Sequence, residues 1–183
     1  MIPLLLQKSP IALCKSRAAR RERETIMRKT VNPALHHGTR DQGEPGWLGP
    51  DAVASIEVTS EHPDFPVESI LTSAGPGWRA SESGEQTIRI VFDRLRSLRR
   101  IRLEFSESGR ERTQEFTLRA GATPTGPFRE IVRQPWNFSP HGATSEIKDY
   151  MVSLVNVLVL ELPLRPDLTR LEVLATLARW QVA

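Results

Sequence analysis

Arg99-Arg-Ile-Arg-Leu-Glu-Phe105 puts an apolar side chain at every second position, Ile101, Leu103 and Phe105, with Arg100, Arg102 and Glu104 between them. Successive side chains of an extended chain point to opposite faces, so this stretch has one dry face and one charged face. The same period of two recurs upstream. In residues 86–92, Ile88, Ile90 and Phe92 oppose Thr87 and Arg89, and in residues 55–60, Ile56 and Val58 share a face. Downstream, Phe116 and Leu118 alternate with Thr117 and Arg119.

Between these runs lie turn signals. Residues 61–66 form an irregular loop, residues 67–72 fit one helical turn, and Gly75-Pro-Gly77 precedes Trp78. The segment 121–127 is a turn cluster, and 128–133 reads as a further strand that enters a loop over 134–142. Residues 144–150 are less regular, while 152–162 is apolar on both faces, as suits a strand covered on each side. After a turn over 163–169, residues 175–182 close the chain with Trp180 as a large anchor. About eight short strands with regular turn signals and no sustained helical period predict an all-β antiparallel sandwich or jelly roll over residues 51–183.

Residues 1–50 have no sustained period and are punctuated by Pro33, Gly38, Gly43, Pro45, Gly46, Gly49 and Pro50, so they read as a disordered basic tail. Residues 16–28 carry the pattern of a transient basic helix with little to bury. The chain's formal charge of +3 divides unevenly: nine basic residues against four acidic ones before residue 46, and sixteen against eighteen after it. The body therefore has no excess charge to hold a polyanion, and nucleic acid is expected to be attracted only through the tail.

The single cysteine, Cys14, excludes an internal disulfide and a multi-cysteine metal site. No apolar run approaches the ~20 residues of a membrane span, and residues 2–6 are too short for a signal-peptide core, so a cytoplasmic chain is expected. Ile11-Ala-Leu-Cys14 departs from a lipoprotein box at the bulky Leu13, and Met27 offers an alternative start.

Ser60-Glu-His-Pro-Asp-Phe-Pro-Val-Glu-Ser-Ile-Leu71, then Gly77-Trp-Arg-Ala80, then residues 86–92, resembles the opening of galactose-binding-like domains, which include the discoidin or coagulation factor type C modules. Arg112-Thr-Gln-Glu-Phe116, Arg133-Gln-Pro-Trp-Asn-Phe-Ser-Pro140 and Glu146-Ile-Lys-Asp-Tyr150 look like a bacterial, carbohydrate-binding branch of that superfamily. The resemblance spans residues 53–183. It implies a jelly-roll sandwich and a carbohydrate or related polar ligand held at the loops of one end. The turn Leu71-Thr-Ser-Ala-Gly75 lacks the acidic residue that such domains commonly place before the tryptophan, so the resemblance lends no support to a bound metal. The opening motif also looks like the N-terminal domain of an X-ray-repair scaffold protein, which implies a protein-binding or nucleic-acid-associated module as the alternative.

Sugar recognition needs an aromatic face for the ring's C–H groups and planar donors for its hydroxyls. Arg133, Trp136 and Asn137, read as one loop, supply both. Arg112 enters a strand nearby, either as a bidentate donor or as the partner of Glu111 or Glu146. Trp78 and Arg79 follow a turn; Trp78 serves either as a stacking platform or as a plug for the core. Arg94, Arg96, Arg99, Arg100 and Arg102 cluster around an apparent hairpin and read as a salt-bridged sheet face neutralised by Glu104, Glu107, Glu111 and Glu115, because the nearby Phe92 and Phe105 lie on the apolar side. His36, His37, His62 and His141 are isolated, and Glu146 with Asp149 lacks the surroundings of a glycosidase pair. The expectation is a binding module with no catalytic residue, cofactor or metal.

Overall fold

Alternation becomes two packed layers in the computed structural model, which describes residues 26–30, 46–107, 111–139, 141–142, 144–167 and 173–183. The expectations for Cys14 and for the helix-like pattern before residue 26, and for His36 and His37, lie outside these residues. In chain order the strands are β1 (Met27–Thr30), β2 (Val53–Val58), β3 (Trp78–Ser83), β4 (Gln86–Ser106), β5 (Arg112–Gly121), β6 (Arg129–Phe138), β7 (Ser145–Pro166), β8 (Leu174–Leu177) and β9 (Arg179–Val182). Single 3₁₀ turns occupy Pro50–Ala52 and Val67–Leu71. Among the described residues no helix is long and apolar enough to cross a membrane.

Two strands of more than 20 residues, β4 and β7, pair antiparallel along almost their whole length and belong to both layers. The first half of β4 pairs with β2, and the second half of β7 pairs with β5, building the six-strand order β1-β2-β4-β7-β5-β6. The second half of β4 pairs instead with β9 and with the first half of β7. Register shifts between Val91 and Arg100 mark the corner at which the ladder turns from one layer into the other. The two halves then face each other: Phe105 of β4 stacks on Phe116 of β5 at 5.1 Å between centroids.

Several expectations change here. Residues 86–105 are one bent strand with no hairpin, because an extra residue at a bulge redirects a strand without reversing it. The arginines around the bend are ion-paired as expected, but to Asp93 and Asp149: Arg96 to Asp93 at 2.6 Å, and Arg100 and Arg102 to Asp149 at 2.6 and 3.0 Å. The guanidinium of Arg100, then that of Arg102, holds the Asp149 carboxyl below its usual range. Residues 134–138 continue β6, residues 145–150 are a regular part of β7, and β7 runs on to Pro166 where a turn was expected. Within the N-terminal fifty residues, Met27–Thr30 forms an edge strand on β2, and the amide of Leu48 donates to the carbonyl of Val182 at 2.8 Å.

The predicted inward residues are the core. Ile56, Val58, Ile88, Ile90, Ile101, Leu103 and Leu118 are fully buried, and Trp180 is 1% exposed. The outer face of the larger layer carries a row of alternating sign in direct register. Arg28 of β1 lies opposite Glu57 of β2, which lies opposite Arg89 of β4, then Glu161 of β7, Arg119 of β5 and Glu130 of β6. Arg89 reaches Glu161 at 2.6 Å and Arg119 reaches the same carboxylate at 3.2 Å, while Arg28 pairs with Glu57. Opposite charges across neighbouring strands fix register, since a slip of one residue would break each pair and turn the apolar set outward.

Glu57 and Glu161 are buried within that row, and one arginine is buried away from it. Arg112, 3% exposed, donates from Nε to Glu107 at 2.9 Å, from Nη1 to Gln114 Oε1 at 2.9 Å and from Nη2 to the Thr176 hydroxyl at 2.6 Å. Gln114 completes the loop by donating to the Thr176 carbonyl and accepting from its amide. The network ties β5 to β8, and β8 is the only partner of β3 among the described strands. Burial pulls the Arg112 pKa below the ordinary guanidinium value, against the opposing effect of Glu107.

Two expectations follow for the full chain. Arg112→Met should lower unfolding free energy by about 3 kcal/mol, the scale for removing one partner of a buried ion pair; denaturant melts giving a wild-type midpoint would contradict the network's role. Lys29 bonds Glu61, and at 3.3 Å Glu68, while Glu61 accepts the Val67 amide at 2.7 Å, so β1 clamps both ends of the loop between β2 and the second 3₁₀ turn. Lys29→Ala should therefore speed hydrogen exchange at the Phe65 and Val67 amides and leave β5 protection unchanged.

Candidate functional site

At one end of the sandwich three connections meet: the loop after β2, the start of β3, and the turn between β8 and β9. Gly77 makes the meeting feasible. Its φ of +77° suits only glycine comfortably, and a Cβ there would sit 2.9 Å from the Leu177 carbonyl oxygen and the Ala178 Cα. The approach creates a concavity of about 140 Å³ whose lining includes Phe65, Arg79, Ser106, Glu107 and Thr176.

Arg79 is the chemical centre of this concavity. Its guanidinium carbon lies 4.4 Å from the Phe65 ring centroid, and the His62 ring meets the same ring edge-on at 5.6 Å. Stacking holds a guanidinium flat and leaves its N–H edges for in-plane acceptors. The Arg79 backbone also pins the loop, its carbonyl accepting from the His62 amide at 2.8 Å and its amide donating to the Phe65 carbonyl at 3.4 Å. Arg112 lies behind the concavity and fixes two of its lining groups, the Glu107 carboxylate and the Thr176 hydroxyl. The arrangement combines a planar cation, a carboxylate acceptor, hydroxyls and an aromatic edge, with no nucleophile–base pair, and suits recognition of a polyhydroxylated ligand.

The sequence candidates separate into two groups. Arg79 lines the concavity and Arg112 supports it from beneath. Arg112 is paired with Glu107, not with Glu111 or Glu146, and three of its donors are already engaged. Trp78 also borders the concavity, but it is 1% exposed, with Nε1 donating to the Ser60 carbonyl at 3.2 Å, so it plugs the core and has no open face for stacking.

Arg133, Trp136 and Asn137 are not on a loop. They lie on the edge strand β6, where period two sends 136 to one face and 133 and 137 to the other, so they do not converge. Arg133 is paired with Glu130 at 2.9 Å and Glu115 at 3.4 Å. Asn137 accepts from the Thr113 hydroxyl at 2.7 Å. Trp136 is half-buried against the core, with the Lys148 ammonium 4.5 Å from its ring centroid and Phe138 edge-on at 6.5 Å.

Sequence reasoning missed Phe65, Glu107 and Thr176 as site residues. Phe65 lay within the quoted opening motif, but nothing in sequence spacing joins it to residues 107 and 176. Two other concavities, one under the strap at Trp47–Pro50 and one beside Asn156, bring together no comparable set of aromatic, cation and carboxylate.

No protein-family model and no curated protein matches the sequence. Solved structures do match in fold. The family 32 carbohydrate-binding module (CBM32) of AlyQ, solved with 4,5-unsaturated mannuronic acid, aligns with a TM-score of 0.53 at 13% identity, covering 72% of this chain and 95% of that one. The family 32 module of Clostridium perfringens NanJ, solved with galactose, gives 0.51 at 13% identity over 69% of this chain and 90% of its own. Another C. perfringens module, CpGH89CBM32-4, solved with GlcNAc-α-1,4-galactose, gives 0.53 at 9% identity over 79% and 100%. Likeness at such low identity speaks to architecture, and on that ground the chain has the galactose-binding-like, discoidin-type β-sandwich fold.

Proposed function

We propose that this protein is a non-catalytic carbohydrate-binding module that takes a terminal sugar ring in the concavity centred on Arg79. The observation that carries the reading is the Arg79 guanidinium, 4.4 Å over the Phe65 ring in a concavity shared with Glu107 and Thr176, at one end of a fold shared with modules solved bound to 4,5-unsaturated mannuronic acid, galactose and GlcNAc-galactose. Adjacent sugar hydroxyls match a planar fork of donors and a fixed carboxylate, and Phe65 supplies apolar surface for the ring's C–H face. Arg112 acts as a positioning residue, since its donors are engaged by Glu107, Gln114 and Thr176.

A second reading, a protein-binding module, is favoured by one observation. Ile147, Met151 and Val155, exposed at 56%, 78% and 73%, share the outer side of β7.

A glycan array probed with the full chain and with Phe65→Ala and Trp136→Ala separates these sites. Phe65→Ala should weaken glycan binding about tenfold or more, equivalent to ~1.4 kcal/mol, and Trp136→Ala should bind as wild type. The opposite ranking, in variants with cooperative melts, would move the site to β6. Silence of the wild type across the array would remove the carbohydrate reading and leave the β7 face as the functional surface.

A further inference from the structure

The carbohydrate reading leaves the class of sugar open, and the charges in the concavity narrow it. Two guanidinium groups stand there, Arg79 lining it and Arg112 behind it, close enough that the Arg79 charge adds to burial in disfavouring the charged form of Arg112. The lining contains one carboxylate, Glu107, and that carboxylate is committed to Arg112 at 2.9 Å. The side chain of Arg79 has no carboxylate or carbonyl partner among the described residues; its contact is the Phe65 ring. Arginines 28, 89, 100, 102, 119, 133 and 165 each have an acidic partner, and Arg94, Arg99 and Arg129, which show none among the described residues, are exposed to water where Arg79 is half-buried.

A half-buried guanidinium set over an aromatic ring, with no acidic partner among the described residues, is the complement of a carboxylate. The two N–H edges of Arg match the two oxygens of such a group, and a partly desolvated site strengthens the pair relative to water. A neutral ring would satisfy the same hydroxyl contacts but leave the Arg79 charge without an anion. We infer that the site is selective for acidic sugars, with the uronate carboxylate paired to Arg79 and the ring hydroxyls facing Glu107 and Thr176. The inference rests on the proposed carbohydrate-binding role.

Matched sugars that differ only at C6 test it: galacturonate against galactose, glucuronate against glucose, and mannuronate against mannose, titrated into the full chain by calorimetry. At low salt at least one uronate should bind about tenfold or more tightly than its neutral counterpart. The gap should narrow at ~0.5 M NaCl, where exposed charges are screened within a few ångströms. Arg79→Gln, which removes hydroxyl donors as well as the charge, should weaken both members of a pair and the uronate more, closing the gap between them. Equal affinity for each pair, preference for the neutral sugars, or a uronate preference that survives in Arg79→Gln would overturn the acidic-sugar inference and leave the binding module intact. Absence of binding by all six sugars, together with silence on the glycan array, would overturn both.

Discussion

A guanidinium buried between two sheets constrains everything around it. Removed from water, Arg112 is tolerable only if its donors are met, and Glu107, Gln114 and Thr176 meet three of them from three directions. That requirement fixes where β5 stands relative to the end of β4 and to β8. Because β8 carries β3, and β3 begins at Trp78 and Arg79, the same network sets the distance between the Arg79 side chain and the Glu107 carboxylate. The shape of the concavity is thus a consequence of satisfying one interior charge. Gly77, which lets β3 approach the turn after β8, and the clamp from Lys29 to Glu61 and Glu68, which closes the loop carrying Phe65, complete the enclosure.

The remaining polar order lies outside. The row from Arg28 to Glu130 crosses six strands with alternating sign, and Glu57 and Glu161 are buried beneath the arginines that cover them. A row of this kind contributes more to register than to net stability, since exposed pairs are individually weak. Its members are satisfied by one another, except Glu130, which pairs with Arg133. Arg79 differs in exactly the respect that matters for binding, because its planar cation rests on an aromatic ring and faces a concavity.

Local alternation made much of the core legible: Ile88, Ile90, Phe92, Ile101, Leu103, Phe105, Phe116 and Leu118 are all buried as their period requires. What escaped was continuity and convergence. Bulges between Val91 and Arg100 break the period without breaking the strand, so one bent strand reads as two. Pro135 suggests a loop, yet β6 is an edge strand, where a missing N–H costs no ladder bond on the open side. The Met27–Thr30 strand has no apolar alternation because ion pairs and backbone pairing with β2 hold it. Arg112 reads as a surface donor because a buried arginine is rare, and only tertiary structure brings Gln114 and Thr176 to it. Phe65, Glu107 and Thr176 are more than a hundred residues apart in total, and no spacing rule links them.

The central claim is that ligand enters beside Arg79 and not along β6. Backbone amide shifts of the full chain during titration with galacturonate report this position by position. The account predicts that perturbation concentrates at Phe65, Arg79, Ser106, Glu107 and residues 176–178, with Arg133, Trp136 and Asn137 unmoved. Shifts centred on Arg133–Asn137, with the Arg79 neighbourhood silent, would contradict it.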